Sequence, residues 1–272
     1  MAEPEPDIAT ERYRRRPETL VTDRGDGPPV VFAHGTLMDR TMFDPQISAL
    51  NDEYRTVAYD LRARTDQYAG PYDLYDLADD AAALVDALDI DSFVLCGMSM
   101  GGFMTLRFAE RYPDRLAGLV LIDTIAEPHT DAEREQYRQL AAQAREEGAF
   151  TEAMIEVARD QLFGETTRST NPELPRHWVE RWETYPTEAF YHEMHSWLDR
   201  PDFTDELPGI DTPVLSLHGE EDVSLEPERT ESMLEALPDA RQEIIPEAGH
   251  SSNTENPEAA NDALRTFLDE VY

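Results

Sequence analysis

Hydrophobic residues along this chain fall into two alternating patterns. Short unbroken apolar runs recur at Val30-Val-Phe-Ala33, Thr56-Val-Ala-Tyr59, Phe93-Val-Leu-Cys96, Leu119-Val-Leu-Ile122 and Val214-Leu-Ser-Leu217. Each has the length of a strand and little polar alternation, the pattern of a strand covered on both faces. A further strand is expected over Gln242 to Ile245. Between the runs the spacing turns helical. Leu77, Ala81, Leu84, Val85 and Leu88 form one apolar stripe, with Asp79, Asp80 and Asp86 outside it. Near the C-terminus Ala260, Ala263, Leu264, Phe267, Leu268 and Val271 share a face. Asn256 is placed to cap that helix and Pro257 to occupy its first turn. Strands alternating with helices predict an α/β fold: a mostly parallel central sheet with helices on both faces.

The alternation breaks between about Thr124 and Arg200. This stretch is helical in pattern, rich first in Glu, Arg and Ala, then in Trp, Tyr and Met, and contains no convincing strand. A helical insertion between two strands of one sheet reads as a lid over the sheet's C-terminal edge. The expected division is a core of residues 1–123 and 205–272 with a lid over 124–204. Within the lid, Trp178, Trp182 and Tyr185 fall at i, i+4 and i+7, followed by Phe190, Met194 and Trp197. The stripe is read as lid core, with part of it a candidate roof for an apolar pocket. At the other end of the chain, Glu11 to Val21 is expected to supply one or two edge strands. The basic run Arg12-Tyr-Arg-Arg-Arg16 is read as charge that discourages strand-to-strand aggregation.

Charge changes the picture of habitat, not of fold. The 272 residues carry 58 acidic against 23 basic side chains, a formal net of −35, and every basic residue among the 23 is arginine. Self-repulsion of this size opposes compaction at ordinary ionic strength. At molar salt the Debye length falls to about 3 Å and most of the penalty between exposed carboxylates disappears. The composition resembles that of proteins from extreme halophiles. The acid is spread along patterned hydrophobic segments, which argues against a disordered tail. Duplex nucleic acid is disfavoured as a partner, because phosphate contacts need a basic surface. No apolar stretch approaches bilayer length, so no membrane partner is expected. The acidic start, Met1-Ala-Glu-Pro-Glu-Pro-Asp7, has no apolar core of a secretory signal. A single cysteine, Cys96, permits no internal disulfide and fits a reducing cytoplasm.

The chemistry is concentrated in a few loops. Gly97-Met98-Ser99-Met100-Gly101 fits the G-x-S-x-G nucleophile elbow, preceded by an apolar strand and followed by an apolar helical sequence, Phe103 to Tyr112. A serine hydroxyl is a weak nucleophile and needs a positioned base. His250, in Glu247-Ala-Gly-His250, lies between the last strand and the last helix, on the edge where the elbow opens. His34 and His218 also end strands, but a structural or supporting role suits each better. His129, His177, His192 and His195 lie in the insertion. His192-Glu-Met-His195 has helical spacing for metal ligands but no third ligand in register. The imidazole needs a carboxylate to fix its tautomer. Asp222, in His218-Gly-Glu-Glu-Asp222, keeps the order serine, acid, histidine; Asp123 is the main competitor, with Glu220 and Glu221 behind it. For the oxyanion, one donor is expected from the Met100 backbone N–H and the second from Thr36, with Leu37 as the alternative.

These pieces together resemble the α/β-hydrolase fold family. They are similar in particular to its lidded carboxylesterase, enol-lactonase and cofactor-free haloperoxidase group. The carriers are His34-Gly35, Met42-Phe-Asp-Pro-Gln46, Tyr59-Asp-Leu-Arg62, Gly97-Met-Ser-Met-Gly-Gly102, Phe108-Ala-Glu-Arg-Tyr-Pro113, Leu119-Val-Leu-Ile-Asp123, His218-Gly-Glu-Glu-Asp222 and Gly249-His250. The chain departs from the family after Asp-Leu-Arg, where Gly-x-Gly is common and Ala63-Arg64-Thr65 stands instead. The resemblance implies hydrolysis of a small ester or lactone through an acyl-Ser99 intermediate. Carbon–carbon bond hydrolysis or peracid formation at the same site are the alternatives, as is a non-catalytic ligand-binding protein of the same fold. No cofactor is called for: there is no G-x-G-x-x-G, and a P-loop is impossible without lysine.

Overall fold

The computed structural model describes residues 17–272. Seven strands form one sheet: β1 (Val21–Arg24), β2 (Pro29–Ala33), β3 (Arg55–Tyr59), β4 (Phe93–Met98), β5 (Leu116–Ile122), β6 (Val214–Gly219) and β7 (Ala240–Ile245). Their order is β1-β3-β2-β4-β5-β6-β7. Only β1 runs antiparallel to its neighbour, with Val21 opposite Tyr59; the other pairings are parallel. The apolar runs read from the sequence are the buried centres of β2 to β6. Val30, Val31, Phe32, Leu95, Leu119, Val120 and Leu215 are fully buried, as burial on both faces of a parallel sheet demands. The edge strand occupies Val21–Arg24, beginning where the expected Glu11 to Val21 stretch ends, and residues 17–20 are not strand. The basic run at 12–16 and the acidic lead at 1–7 lie outside the described residues.

Helices cover both faces. Leu74–Ala87 packs on Met100–Arg111, and Asp44–Leu50 packs on Pro257–Val271. Local chemistry sets their ends. Asp73 caps the first by accepting from the N–H groups of Tyr75 and Asp76, while the Asp76 carboxylate takes the Asp73 N–H in return. Asn256 accepts from the Ala259 N–H, with Pro257 in the first turn of the last helix.

Between β5 and β6 the regular structure is all helical, in Asp131–Glu147, Glu152–Leu162, Glu165–Thr170, Glu173–Trp182 and Thr187–Leu198, followed by a 3-10 helix at Thr204–Gly209. The insertion begins with a capping box at Thr130 and Glu133, and its first helix ends at Gly148 with φ 68°. Trp178 and Trp182 are buried, and Trp182 stacks on Phe163 with ring centroids 6.4 Å apart. Tyr185 lies past the end of that helix, where its hydroxyl donates to Asp39 at 2.8 Å. No described helix is long and apolar enough to cross a membrane.

Several arginines are paired with acids at the surface, as in Arg111–Asp79 and Arg265–Glu53. The acidic excess of 58 over 23 leaves most carboxylates without a cation, and exposed pairs contribute little. Stability should therefore depend on screening. Raising KCl from about 0.1 M to about 3 M is expected to raise the thermal midpoint by about 10 °C, from a relief of roughly 3 kcal/mol. A midpoint that stays flat or falls in a KCl series contradicts this.

Candidate active site

The site grows out of the turn between β4 and the helix Met100–Arg111. Ser99 sits there with φ 50° and ψ −112°, a conformation that side chains rarely adopt. Its backbone N–H is held by the Ile122 carbonyl at 2.8 Å. Glycines make the turn possible. A Cβ on Gly97 would lie 2.3 Å from the Gly101 carbonyl oxygen, and one on Gly101 would lie 2.2 Å from that of Ala33. The elbow glycines are therefore required by backbone contact across three segments.

The Ser99 hydroxyl donates to His250 Nε2 at 2.9 Å, and His250 Nδ1–H donates to Asp222 Oδ2 at 2.8 Å. Thus the structure brings Ser99, His250 and Asp222 into one hydrogen-bonded line. Asp222 Oδ1 is fixed by the N–H groups of Ser224 and Leu225, at 2.8 and 2.9 Å. Burial works against both charges, but mutual attraction wins. His250 and His218 hold the Asp222 carboxyl well below the usual carboxylate range. For His250, burial lowers the imidazole, yet the charge and hydrogen bond of Asp222 outweigh it and raise the ring above its ordinary value.

Asp123 does other work. Its Oδ1 accepts from the Gly219 N–H at 2.8 Å, and its Oδ2 accepts from the Ser252 N–H at 3.0 Å and hydroxyl at 2.7 Å. It ties the end of β6 to the segment after His250, and burial pushes it up to about 7. His218 also lies under the site, donating from Nε2 to the Leu225 carbonyl at 2.6 Å and to Asp222 at 3.2 Å. Burial opposes its cation, but Asp222 and Asp123 raise it to about 9. Asp123, His218 and Asp222 place ligand-type atoms within 4.8 Å of one another. The carboxylate oxygens are already engaged by backbone N–H groups, the Ser252 hydroxyl and imidazoles, and His218 Nε2 by the Leu225 carbonyl. His218 Nδ1 is buried without a partner among the described residues. The cluster reads as a hydrogen-bonded support. In the insertion, His192 meets Glu188 at 3.1 Å and His195 donates to the Tyr191 carbonyl at 2.8 Å. Both imidazoles are thus engaged within their own helix.

The loop after β2 supplies the rest. His34 donates from Nδ1 to the Gly35 carbonyl and accepts the Leu61 N–H on Nε2, each at 2.9 Å. Burial and the nearby Arg64 charge lower it to about 4, so it is a neutral staple. The N–H groups of Thr36 and Met100 find no acceptor among the described residues. Leu37, the alternative to Thr36, is otherwise occupied. With φ 64° its N–H turns to Glu193 Oε2 of the insertion, at 3.3 Å.

Glu193 was not legible in the sequence, nor was its partner. Arg64 stands between the two positions where the family commonly has glycine, and its Nη2 meets Glu193 Oε2 at 3.1 Å, both side chains being buried. Arg64 also donates to the Met38 carbonyl at 2.9 Å and lies 3.9 Å from the Tyr185 ring centroid. A second tie binds Asp39 to Arg181 and Tyr185. The insertion is thereby clamped to the loop carrying Thr36. Above the site lies a cleft lined by Ser99 and His250 below and by Phe190, Met194 and Trp197 from the insertion. Of the aromatic stripe expected in the lid, these later residues reach the cleft, whereas Trp178 and Trp182 pack inside.

Comparison with known proteins identifies the fold. The family profile described as alpha/beta hydrolase fold matches residues 28–257. A thermophilic esterase from Thermogutta terrifontis, solved with malate bound, superposes with a TM-score of 0.89 at 35% identity, covering 94% of each chain. The 3-oxoadipate enol-lactonase 2 of Acinetobacter baylyi is 26% identical over 90% of both chains. The non-heme chloroperoxidase of Streptomyces lividans is 30% identical over 89% of this chain and 92% of its own.

The clamp is open to a direct test. Glu193→Leu leaves the Arg64 guanidinium buried without a carboxylate and is expected to lower unfolding free energy by about 3 kcal/mol. Adding Arg64→Met should recover most of that loss, because the pair then disappears together. Urea unfolding at fixed KCl measures both, and additive losses in the double variant contradict a coupled pair.

Proposed function

Since the chain belongs to the alpha/beta hydrolase fold family, we propose that it hydrolyses carboxylic esters or lactones through an acyl intermediate on Ser99. The observation that carries this reading is the unbroken line Ser99–His250–Asp222, opening beside two unspent backbone N–H groups. The Ser99 oxygen attacks the carbonyl carbon as its proton passes to His250 Nε2. The Asp222 carboxylate stabilises the imidazolium that forms. Negative charge gathers on the carbonyl oxygen, facing the N–H groups of Thr36 and Met100. Collapse expels the alkoxide, which takes the proton from His250. Water then repeats the sequence: His250 removes its proton, the acyl–oxygen bond to Ser99 breaks, and Ser99 recovers a proton from His250 as the acid is released.

A related esterase and a related enol-lactonase support this choice of substrate class over a non-catalytic role. The chloroperoxidase relative supports one variation. Hydrogen peroxide in place of water at the second step releases a peracid from the same acyl-enzyme.

Fluorophosphonate labelling in molar KCl tests the nucleophile. Wild type should label at one site, Ser99→Ala should not, and its kcat on any ester that is turned over should fall by at least about 10⁴-fold. Retained labelling in Ser99→Ala ends the proposal. The pH dependence has a defined sign. His250 must be neutral to accept the proton, and its folded value lies above the ordinary 6.5, so kcat/KM should climb as pH rises past that point. A profile already flat from about pH 5.5 upward contradicts the role given to His250.

A further inference from the structure

Behind one wall of the cleft lies a positive charge that the mechanism above does not use. Arg200, at the end of the insertion, is only 4% exposed. Its Nη1 donates to His129 Nδ1 at 2.9 Å and to the Trp197 carbonyl at 3.3 Å, and its Nη2 donates to the Glu127 carbonyl at 2.6 Å. The guanidinium lies 3.7 Å from the Phe103 ring centroid. Among the described residues no carboxylate forms an ion pair with it. Arg107, fully buried on the elbow helix, is in the same position, donating to the carbonyls of Phe103 and Pro201 at 3.2 and 3.0 Å. Glu133 is the nearby acid that favours the Arg200 cation, but it is engaged by Arg229 at 3.0 Å and by the Thr130 N–H at 2.6 Å. In a chain with 58 acidic residues, two buried guanidiniums without acid partners stand out. Burying such a charge is costly unless something compensates it.

His129 connects this charge to the cleft. It is 5% exposed and boxed by Phe103, Tyr137 and Trp197, with ring centroids 6.2, 5.5 and 5.1 Å away. Because Nδ1 accepts from Arg200, the neutral ring carries its proton on Nε2. Burial and the Arg200 charge lower the ring to about 3, so it stays neutral. Nε2 has no partner among the described residues, and His129 lines the same cleft as Ser99 and His250. The result is a donor of fixed tautomer, backed by a buried cation, in a cleft otherwise walled by groups such as Leu140, Leu162, Phe190 and Met194. A neutral acyl chain needs none of this.

We propose that His129 and Arg200 form a subsite for a carboxylate carried by the substrate away from its scissile bond. His129 Nε2–H donates to the carboxylate and Arg200 supplies the opposing charge behind it. The substrates implied are half-esters or carboxylated lactones of dicarboxylic acids. This rests on the hydrolase reading of Ser99.

The test pairs methyl half-esters of succinic, glutaric and adipic acids with the matching half-amides, methyl ester amides in which an uncharged primary amide of the same shape replaces the free carboxylate. Assays in about 3 M KCl remove the long-range repulsion of an anion by the acidic surface, so the local subsite is what is read. At the best-fitting length the wild type should favour the half-ester acid over its half-amide by about tenfold in kcat/KM, the size of a charge-assisted hydrogen bond. That ratio should fall to about one in His129→Leu and in Arg200→Gln, and should survive in part in His129→Gln, whose amide N–H replaces the imidazole donor. A wild type that cleaves half-amides as well as half-esters at every length overturns the subsite and leaves the hydrolase reading intact. So does a preference that persists in His129→Leu. A wild type that cleaves neither set and takes no fluorophosphonate label overturns both readings. Should Arg200→Gln not fold, the wild-type ratio and the two His129 variants decide.

Discussion

The site depends on one backbone contact: the elbow carrying Ser99 is pressed against the end of β2, with Gly101 lying under the Ala33 carbonyl. That closeness forces the left-handed conformation at Ser99 and sets the first turn of the helix behind it. It also fixes the distance from the elbow to the loop bearing Thr36. Strain of this kind persists only where surrounding structure over-determines it. Here the parallel strands β2, β4 and β5 do so. The Ser99 N–H bond to Ile122 and the Thr124 hydroxyl bond to the Ser99 carbonyl, at 2.8 and 2.9 Å, hold the turn from the far side.

Around that fixed point the polar groups are arranged in depth. Asp222 is held by two backbone N–H groups and two imidazoles, and Asp123 joins the strand end beneath it to the segment after His250. Both of these carboxylates have their oxygens occupied, as a low-dielectric interior requires. The insertion then closes over this arrangement through buried arginines. Guanidinium suits such a role, since it is planar, permanently charged and less strongly hydrated than an ammonium. A composition lacking lysine thus fits the interior as well as the surface.

Much of this was legible beforehand, for physical reasons that differ by residue. Ser99 announced itself because the elbow is a local motif whose glycines are fixed by sterics. His250 could be placed because a loop after a parallel strand opens on the same edge. Asp222 and Asp123 both follow core strands, and only the path of the loop after β6 shows which one meets the imidazole. Thr36 and Leu37 were separable only once Leu37 was seen to give its N–H to Glu193. Glu193 itself lies 129 positions from Arg64, and in so acidic a chain a single glutamate carries no signal. The loop around Arg64 carried one, since Ala63 and Thr65 stand where family members commonly have glycine, but a loop departure does not name a partner. The lid stripe divided between its two readings: Trp178 and Trp182, large and apolar, went to the insertion's own core, while Phe190, Met194 and Trp197 wall the cleft.

The helix Thr187–Leu198 faces two ways. Phe190, Met194 and Trp197, spaced four and then three apart, wall the cleft, while Glu193, one residue off that row, grips the loop beneath. A slide or rotation of the helix to suit a new ligand would drag the carboxylate away from Leu37 and Arg64. Diversification of this protein is therefore confined to swapping side chains on a stationary rod, and the rod's placement is inherited with the chemistry it shelters.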